Sequence, residues 1–301
     1  MPEGHVIHRL AAELDHAFAG RRVSISSPQG RFAEASALLD GTVFRTAEAF
    51  GKHLILDFSP STVPEELSLP PVPEELVSAA SERHEGSPAT SGPFVHIHLG
   101  LIGKLRWVKP GAVEGASTLR LRLETKEHAA ELRGPQSCAL VGPEEVAGLV
   151  ATLGPDPLRA DADPERAWRR VHRSVRTIAS LLMDQRVAAG VGNIYRAEVL
   201  YRQRIHPDTP GSSLSRRAWN RIWADLVELM PQGVRHGRID TVRPEDSPEA
   251  TGRDPRVDRH GGEVYVYRRA GQPCLVCGRE VSMRLFEGRN LYWCARCQRR
   301  R

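Results

Sequence analysis

Four of the five cysteines fall in the last 28 residues, as Cys274-x-x-Cys277 and Cys294-x-x-Cys297 with sixteen residues between the pairs. Two close pairs at this spacing place four thiolates tetrahedrally around one Zn²⁺, an ion that asks no redox chemistry of the protein. Two disulfides are the other pairing open to them, but nothing else in the sequence suggests an oxidising compartment. A closed four-Cys site is structural rather than catalytic. Cys138 is left over as a buried or incidental thiol. Between the pairs, Arg284 to Trp293 sets polar turn residues between β-prone ends, which predicts a hairpin held by the metal. Arg289 then projects near its tip, where a guanidinium can engage phosphate in a fork or simply remain solvated.

Charge is unevenly spread over the 301 residues. The formal total is +5, yet Cys274 to Arg301 alone holds seven Arg and two Glu, and residues 59–93 hold one Arg and six Glu. An acidic stretch thus offsets a strongly basic end. A concentrated arginine patch points to a polyanionic partner such as nucleic acid. No apolar run approaches the ~20 residues of a membrane span, and the first residues lack the apolar stretch of a signal peptide. Secretion and membrane anchoring are not expected.

Along the chain, Val6, Ile7, Leu10, Leu14, Ala17 and Phe18 repeat at helical spacing over residues 4–19, with Gly20 as a stop. The pattern then turns strand-like at Val23–Ser26, Val43–Ala47, Leu54–Phe58 and Val95–Leu99. Leu119, Leu121 and Leu123 alternate with Arg120, Arg122 and Glu124, as in a half-buried strand. Residues 20–140 therefore read as a β-sandwich or barrel behind one helix. The Pro-, Ser- and Glu-rich segment 59–93 cannot bury enough apolar surface to order itself and reads as a flexible insert without chemistry. Gly154-Pro155-Asp156-Pro157 is a hinge. Beyond it, residues 164–173, 177–186, 193–203 and 215–230 have helical spacing, with Trp219, Ile222, Trp223, Leu226 and Leu229 as a core stripe. Residues 236–263 read as a long mobile loop.

Two further segments carry chemistry. Gly190-Val191-Gly192-Asn193 lies between helical stretches, where glycines let backbone N–H groups approach an anion and Asn193 can cap a helix or donate to a phosphate. The surrounding residues 161–206 hold nine Arg against five acids. At the start of the chain, removal of Met1 would expose the secondary amine of Pro2, which can attack a sugar carbon and form an iminium, an electron sink for later elimination. The following helix directs its positive end at this amine and favours the neutral, nucleophilic form. Glu3 stands beside it as a proton donor or acceptor.

Taken in order, Met-Pro-Glu-Gly at residues 1–4, Gly51-Lys52-His53-Leu54, His98 to Gly103, Asp184-Gln185-Arg186, Gly190 to Tyr195, Ile205-His206-Pro207 and the cysteine hairpin resemble the Fpg/Nei family of bifunctional DNA glycosylases over almost the whole chain. The resemblance implies an α+β multidomain fold. It comprises an N-terminal helix plus β-sandwich over residues 1–150 carrying the insert 59–93, a helix–two-turns–helix DNA-binding domain over 151–262, and a zinc finger over 263–301. It implies Pro2 as Schiff-base nucleophile, Glu3 as catalytic acid/base, and Lys52 as a phosphate contact that assists β-elimination. Asn193 and Arg289 are implied to hold the phosphates flanking the lesion, Arg289 thereby serving the catalytic site as well, and Leu101 to fill the gap left by the extruded base. One Zn²⁺ on Cys274, Cys277, Cys294 and Cys297, damaged DNA as partner, a monomer and a bacterial cytoplasmic location complete what the resemblance implies.

The sequence departs from many members at two places. His5 and Val6 replace a second Pro-Glu, and Leu132-Arg133-Gly134-Pro135-Gln136-Ser137 stands where Fpg proteins carry an Arg-Arg-Phe loop. With the Met-Pro-Glu-Gly-His start, these departures point to the Nei (endonuclease VIII-like) branch of actinobacterial type, and so to base-excision repair of oxidised pyrimidines by β,δ-elimination. An Fpg-like enzyme for oxidised purines and a DNA-binding protein without chemistry are the alternatives.

Overall fold

The computed structural model describes residues 2–59, 92–111, 115–258 and 262–300, so the expected insert lies, from residue 60 to residue 91, outside the described residues. By compactness the chain divides into two units, one of residues 13–47 and 55–151, the other of residues 1–12, 48–54 and 152–301. The boundary near residue 152 falls beside the expected hinge. Residues 1–12 and 48–54 group with the helical part and the cysteine-bearing end.

Helix α1 (Gly4–Phe18) opens the chain, and its Leu14, Ala17 and Phe18 are buried as their spacing requires. In the unit of residues 13–47 and 55–151, two sheets follow. Strands β1 (Arg21–Arg22), β3 (Val43–Phe50), β4 (His53–Phe58), β5 (Phe94–His98) and β9 (Ser137–Val141) form one, in the order β1-β3-β4-β5-β9. Strands β2 (Ser24–Ser26), β7 (Leu119–Glu124), β8 (Ala129–Arg133) and β6 (Lys104–Val108) form the other, in the order β2-β7-β8-β6. Phe18 links them, its ring 5.9 Å from Phe44 and stacked 5.7 Å from Trp107. Helices α2 (Ala33–Leu39) and α3 (Pro143–Thr152) were not marked by the spacing. Strand β7 is more than half buried: Arg122 is 2% exposed, held by Glu131 at 2.6 Å and Glu124 at 2.8 Å, so a charged residue at an expected outward position is enclosed by its own ion pairs.

In the other unit, helices α4 (Pro164–Val171), α5 (Ile178–Leu181), α6 (Asn193–Arg202) and α7 (Arg216–His236) build one apolar core. Asp163 and Ser215 cap α4 and α7 through their side-chain oxygens. The helix expected over 177–186 stops at Leu181, because Asp184 turns back to accept the Arg186 N–H. Helix α7 runs six residues past its expected end and includes Pro231. Its stripe Trp219, Ile222, Leu226 and Leu229 is buried. Arg202 of α6 clamps Asp225 of α7 with bonds of 2.7–3.0 Å. The segment expected as a mobile loop over 236–263 holds the short helix α8 (Pro248–Thr251). Buried Glu198 of α6 fixes its neighbourhood, accepting from the backbone of Tyr265, Val266 and Tyr267 and from the Thr241 hydroxyl at 2.6–2.9 Å. The chain ends in the hairpin β10 (Ser282–Phe286) and β11 (Arg289–Trp293).

Candidate active site

Gly192 is the N-cap of helix α6 and has no side chain with which to bond the first backbone N–H groups, which lack an intrahelical partner in any helix. Glu3 supplies the cap from the other end of the sequence. Its Oε1 accepts from Ile194 N at 2.7 Å, and its Oε2 accepts from Gly192 N at 3.1 Å and Tyr195 N at 3.3 Å. A Cβ on Gly192 would lie 2.4 Å from the Glu3 carboxyl carbon, so only glycine admits this approach. The same close docking continues at Gly4, whose N–H donates to Gly190 O at 2.8 Å and whose absent Cβ would stand 2.7 Å from the Gly190 Cα. Pro2 is thereby held, half-buried, beside a fixed carboxylate. Burial raises the Glu3 pKa above the usual carboxylate range, while the Lys52 charge and the α6 N–H groups oppose the rise.

Lys52 sits in the two-residue turn between β3 and β4 and donates from Nζ to Val191 O at 2.7 Å. Gln185 braces the same loop, donating to Val191 O at 3.0 Å and accepting from Gly190 N at 3.0 Å. Asp156 anchors the turn by accepting from Gly51 N at 2.8 Å. Burial lowers the Lys52 pKa to about 8, with Arg289 adding to the shift and Glu3 opposing it. Pro2, Glu3, Lys52, Asn193 and Arg289 all belong to the one unit, whereas Leu101 belongs to the other. There Leu101 is 70% exposed in the turn between β5 and β6.

Asn193 is buried at the start of α6 and bridges two elements: its Nδ2 donates to Asn290 O of β11 at 3.0 Å, and its Oδ1 accepts from Arg196. Arg196 was not singled out by the sequence. It is 1% exposed, and burial together with Arg289 depresses its pKa to about 10. Lys52, Arg196 and Arg289 thus form a cationic group around the α6 N-terminus, a region already favourable to anions. The hairpin tip lies at Glu287-Gly288, both with positive φ. Glu287 keeps this conformation while accepting from Ser180 Oγ at 2.7 Å, and Ser180 in turn accepts from Arg176 at 2.7 Å. The expected tip arginine is therefore the first residue of β11, next to a turn tethered to α5.

The Sγ atoms of Cys274, Cys277, Cys294 and Cys297 lie within 4.8 Å of one another, with Cys274 and Cys297 at 3.9 Å and Cys277 and Cys294 at 3.5 Å. A disulfide needs ~2.05 Å. Four thiolates at ~2.3 Å from a tetrahedral Zn²⁺ stand ~3.8 Å apart, which this cluster fits. The Tyr201 hydroxyl, 3.0 Å from Cys274 Sγ, donates to it, since a metal-bound thiolate can only accept. Gln298, fully buried, joins this end to the segment that follows α6 by donating to Ile205 O at 2.8 Å.

His5 was noted only as a departure. It is buried with its ring 5.5 Å from Tyr195 at 85°, and burial lowers its pKa to about 4. Neither its Nδ1 nor the Tyr195 hydroxyl has a hydrogen-bond partner among the described residues. Gly233, inside α7, makes room for both, since a Cβ there would meet the Tyr195 hydroxyl at 2.4 Å.

An N-terminal carboxylate seated on the start of a helix in a helical module, with a hairpin of four converging cysteines at the other end of the chain, is the arrangement of the zinc-finger DNA glycosylases. Three family models match the chain: the formamidopyrimidine-DNA glycosylase N-terminal domain over residues 1–136, the formamidopyrimidine-DNA glycosylase H2TH domain over 153–243, and the zinc finger found in FPG and IleRS over 271–300. Endonuclease 8 1 of Mycobacterium tuberculosis is 44% identical over 99% of this chain and 100% of its own length. The formamidopyrimidine-DNA glycosylase of a Synechococcus strain is 31% identical over 71% of this chain and 75% of its own. Among solved structures, Lactococcus lactis Fpg in complex with DNA containing N7-benzyl-Fapy-dG superposes with a TM-score of 0.73 at 20% identity, covering 99% of this chain and all of that one. The chain belongs to the Fpg/endonuclease 8 family, the bifunctional DNA glycosylase/AP lyases of base excision repair. Its cysteine cluster is the family's structural zinc site.

Proposed function

We propose that this protein removes oxidised pyrimidines from DNA through a Schiff base on Pro2 and cuts the strand by successive β- and δ-elimination. The observation that carries this reading is the seating of Glu3 on the α6 N-terminus, which fixes the carboxyl next to Pro2 in a buried place where desolvation raises its pKa. With Met1 removed, the Pro2 amine attacks the anomeric carbon as the glycosidic bond breaks and the base departs with its electron pair. Glu3, whose burial favours the protonated form, gives the proton that the leaving base or the opening sugar needs and takes one back during elimination. Lys52, Asn193 and Arg289 hold the flanking phosphates of an extruded nucleotide, and Leu101 fills the space it leaves; extrusion itself costs a few kcal/mol. Zn²⁺ takes no part in bond making and holds the Arg289 hairpin in shape.

Preference for pyrimidines is supported by the short turn 134–136 between β8 and β9, which leaves no room for a longer inserted loop, and by the likeness to endonuclease 8 1. The domain limits 1–150, 151–262 and 263–301, a monomer and a bacterial cytoplasmic setting belong to the same reading; no helix among the described residues is long and apolar enough to cross a membrane. Matched duplexes carrying thymine glycol or 8-oxoguanine test it under single-turnover conditions. Faster excision of thymine glycol is expected; faster excision of 8-oxoguanine would place the chain with the formamidopyrimidine-DNA glycosylases instead.

A further inference from the structure

Not all of the basic excess gathers at the active site. At the far end of α6 from Asn193, a cleft of about 1040 Å³ is lined by Arg204, Arg217, Arg221, Arg299 and Arg300. All five are exposed, and among the described residues none has a carboxylate within ion-pair distance. The one acid in the lining, Asp208, is already taken by Arg284 and lies 3.9 Å from His206. Arg217 and Arg221 stand one turn apart on α7, and Arg299 and Arg300 come from the end of the zinc finger, so three separate pieces of chain bring arginines to the lining of one cleft.

Arg204 adds an independent sign. It follows the end of α6 with φ 54°, and the Ile205 and Arg204 N–H groups close back on Leu200 O and Tyr201 O. This is the left-handed residue that ends many helices, a place where glycine is favoured and a side chain costs ~1–2 kcal/mol. An arginine kept in a strained position in the lining of a cationic cleft marks a functional demand for its charge.

We infer that this cleft is a second phosphate-binding site, which takes the phosphodiester backbone of DNA away from the lesion; the inference rests on the reading of DNA as substrate. Guanidiniums fork onto phosphates, and the Ser213 hydroxyl beside them adds a neutral donor. Apart from half-buried His206 the lining carries no ring on which a base could stack, so the site reads charge and not sequence. The ten residues of α6 separate it from Asn193 by ~15 Å. That spans roughly four base pairs of duplex axis, so the flank of the same duplex is within reach, as is a second duplex.

The test uses the full-length protein and three forms: wild type, Arg204→Gly, and Arg217→Gln with Arg221→Gln. Arg204→Gly removes the charge and the backbone strain together, so its thermal stability is expected to match or exceed wild type. Binding is measured on abasic duplexes of about 12 and about 30 base pairs across a salt series. If the flank of the same duplex is held, both variants lose about tenfold or more in affinity on both duplexes, since ~15 Å lies within the arm of even the shorter one, and the salt slope falls by ~0.9 for each phosphate contact removed. If a second duplex is held, one-to-one affinity is unchanged at both lengths, and a two-duplex complex formed by wild type disappears in the variants. Borohydride trapping at saturating protein is unchanged in either case. Variants that match wild type in affinity, slope and stoichiometry would overturn the inference and leave an acidic protein segment as the occupant to seek. Absence of any trapped adduct with wild type would instead count against the proposed chemistry, and binding to undamaged duplex would still decide the cleft.

Discussion

Gly192→Ala isolates the seating of Glu3 with a single methyl group. Gly192 has φ −127° and ψ −163°, an extended conformation that alanine adopts freely, so the backbone itself does not resist the change. The new Cβ, however, would lie 2.4 Å from the Glu3 Cδ, 2.5 Å from its Cγ and 2.7 Å from Oε1. The carboxylate must move, and three hydrogen bonds from the start of α6 are at stake. Bonds to a charged group contribute ~1.5–3 kcal/mol each, and with partial re-seating a net loss of about 3 kcal/mol is expected. At ~2–4 °C per kcal/mol for a unit of this size, that lowers the melting temperature by roughly 6–12 °C. Displacement of Glu3 by about 1 Å should also slow single-turnover excision about a hundredfold, measured well below the melting transition. Gly148→Ala serves as the control. It lies in α3 with nothing within 4 Å of its would-be Cβ, and is expected to gain ~0.5–1 kcal/mol with unchanged excision. A Gly192→Ala protein that melts and excises like wild type would refute the seating of Glu3 on α6.

Three further outcomes follow from the same geometry. His5 has its pKa lowered by burial to about 4, so the folded state holds fewer protons than the unfolded one between there and ~6.5; its stabilising share is present above pH ~6.5 and is lost as pH falls towards 4, by up to ~3 kcal/mol. His5→Phe should remove that part of the acid lability in pH-dependent melts. Lys52 carries its charge below about pH 8 in the free protein, so its share of DNA affinity should fade as pH rises past that point, whereas Lys52→Arg keeps affinity flat through the same window in equilibrium titrations. Glu287→Gly exchanges relief of a left-handed backbone for loss of the Ser180 bond, effects of ~1 kcal/mol each; melting should change little while DNA affinity falls, because the turn beside Arg289 is no longer tethered.

Local patterns were legible wherever they are written in adjacent residues. The repeat of Ile7, Leu10, Leu14 and Phe18 marked α1, and the two Cys-x-x-Cys pairs marked a cluster whose sulfurs do converge. Expectations failed where distant residues override local spacing. Arg122 reads as the polar side of an amphipathic strand until Glu131 is seen across the ladder, and the segment 236–263 reads as loose until Glu198 is seen holding Thr241 within it and Tyr265 just beyond it. The active site shows the same division. Pro2, Glu3, Lys52, Asn193 and Arg289 were named from motifs. No motif announces that Glu3 caps a helix 189 residues away, because that contact depends on the absence of a side chain at Gly192. Arg196 reads in the sequence as one of nine arginines in a basic stretch, its burial against Asn193 being visible only in three dimensions.

The attachment point of a borohydride-trapped adduct tests the central chemical claim most directly. Abasic duplex is incubated with the protein, reduced, digested and sequenced by mass spectrometry, with Pro2→Gly alongside. The expected result is a single modified peptide bearing the sugar on the Pro2 nitrogen of a chain that has lost Met1, with trapping sharply reduced in the variant. Modification on Lys52, or a Pro2→Gly protein that traps as well as wild type, would contradict it.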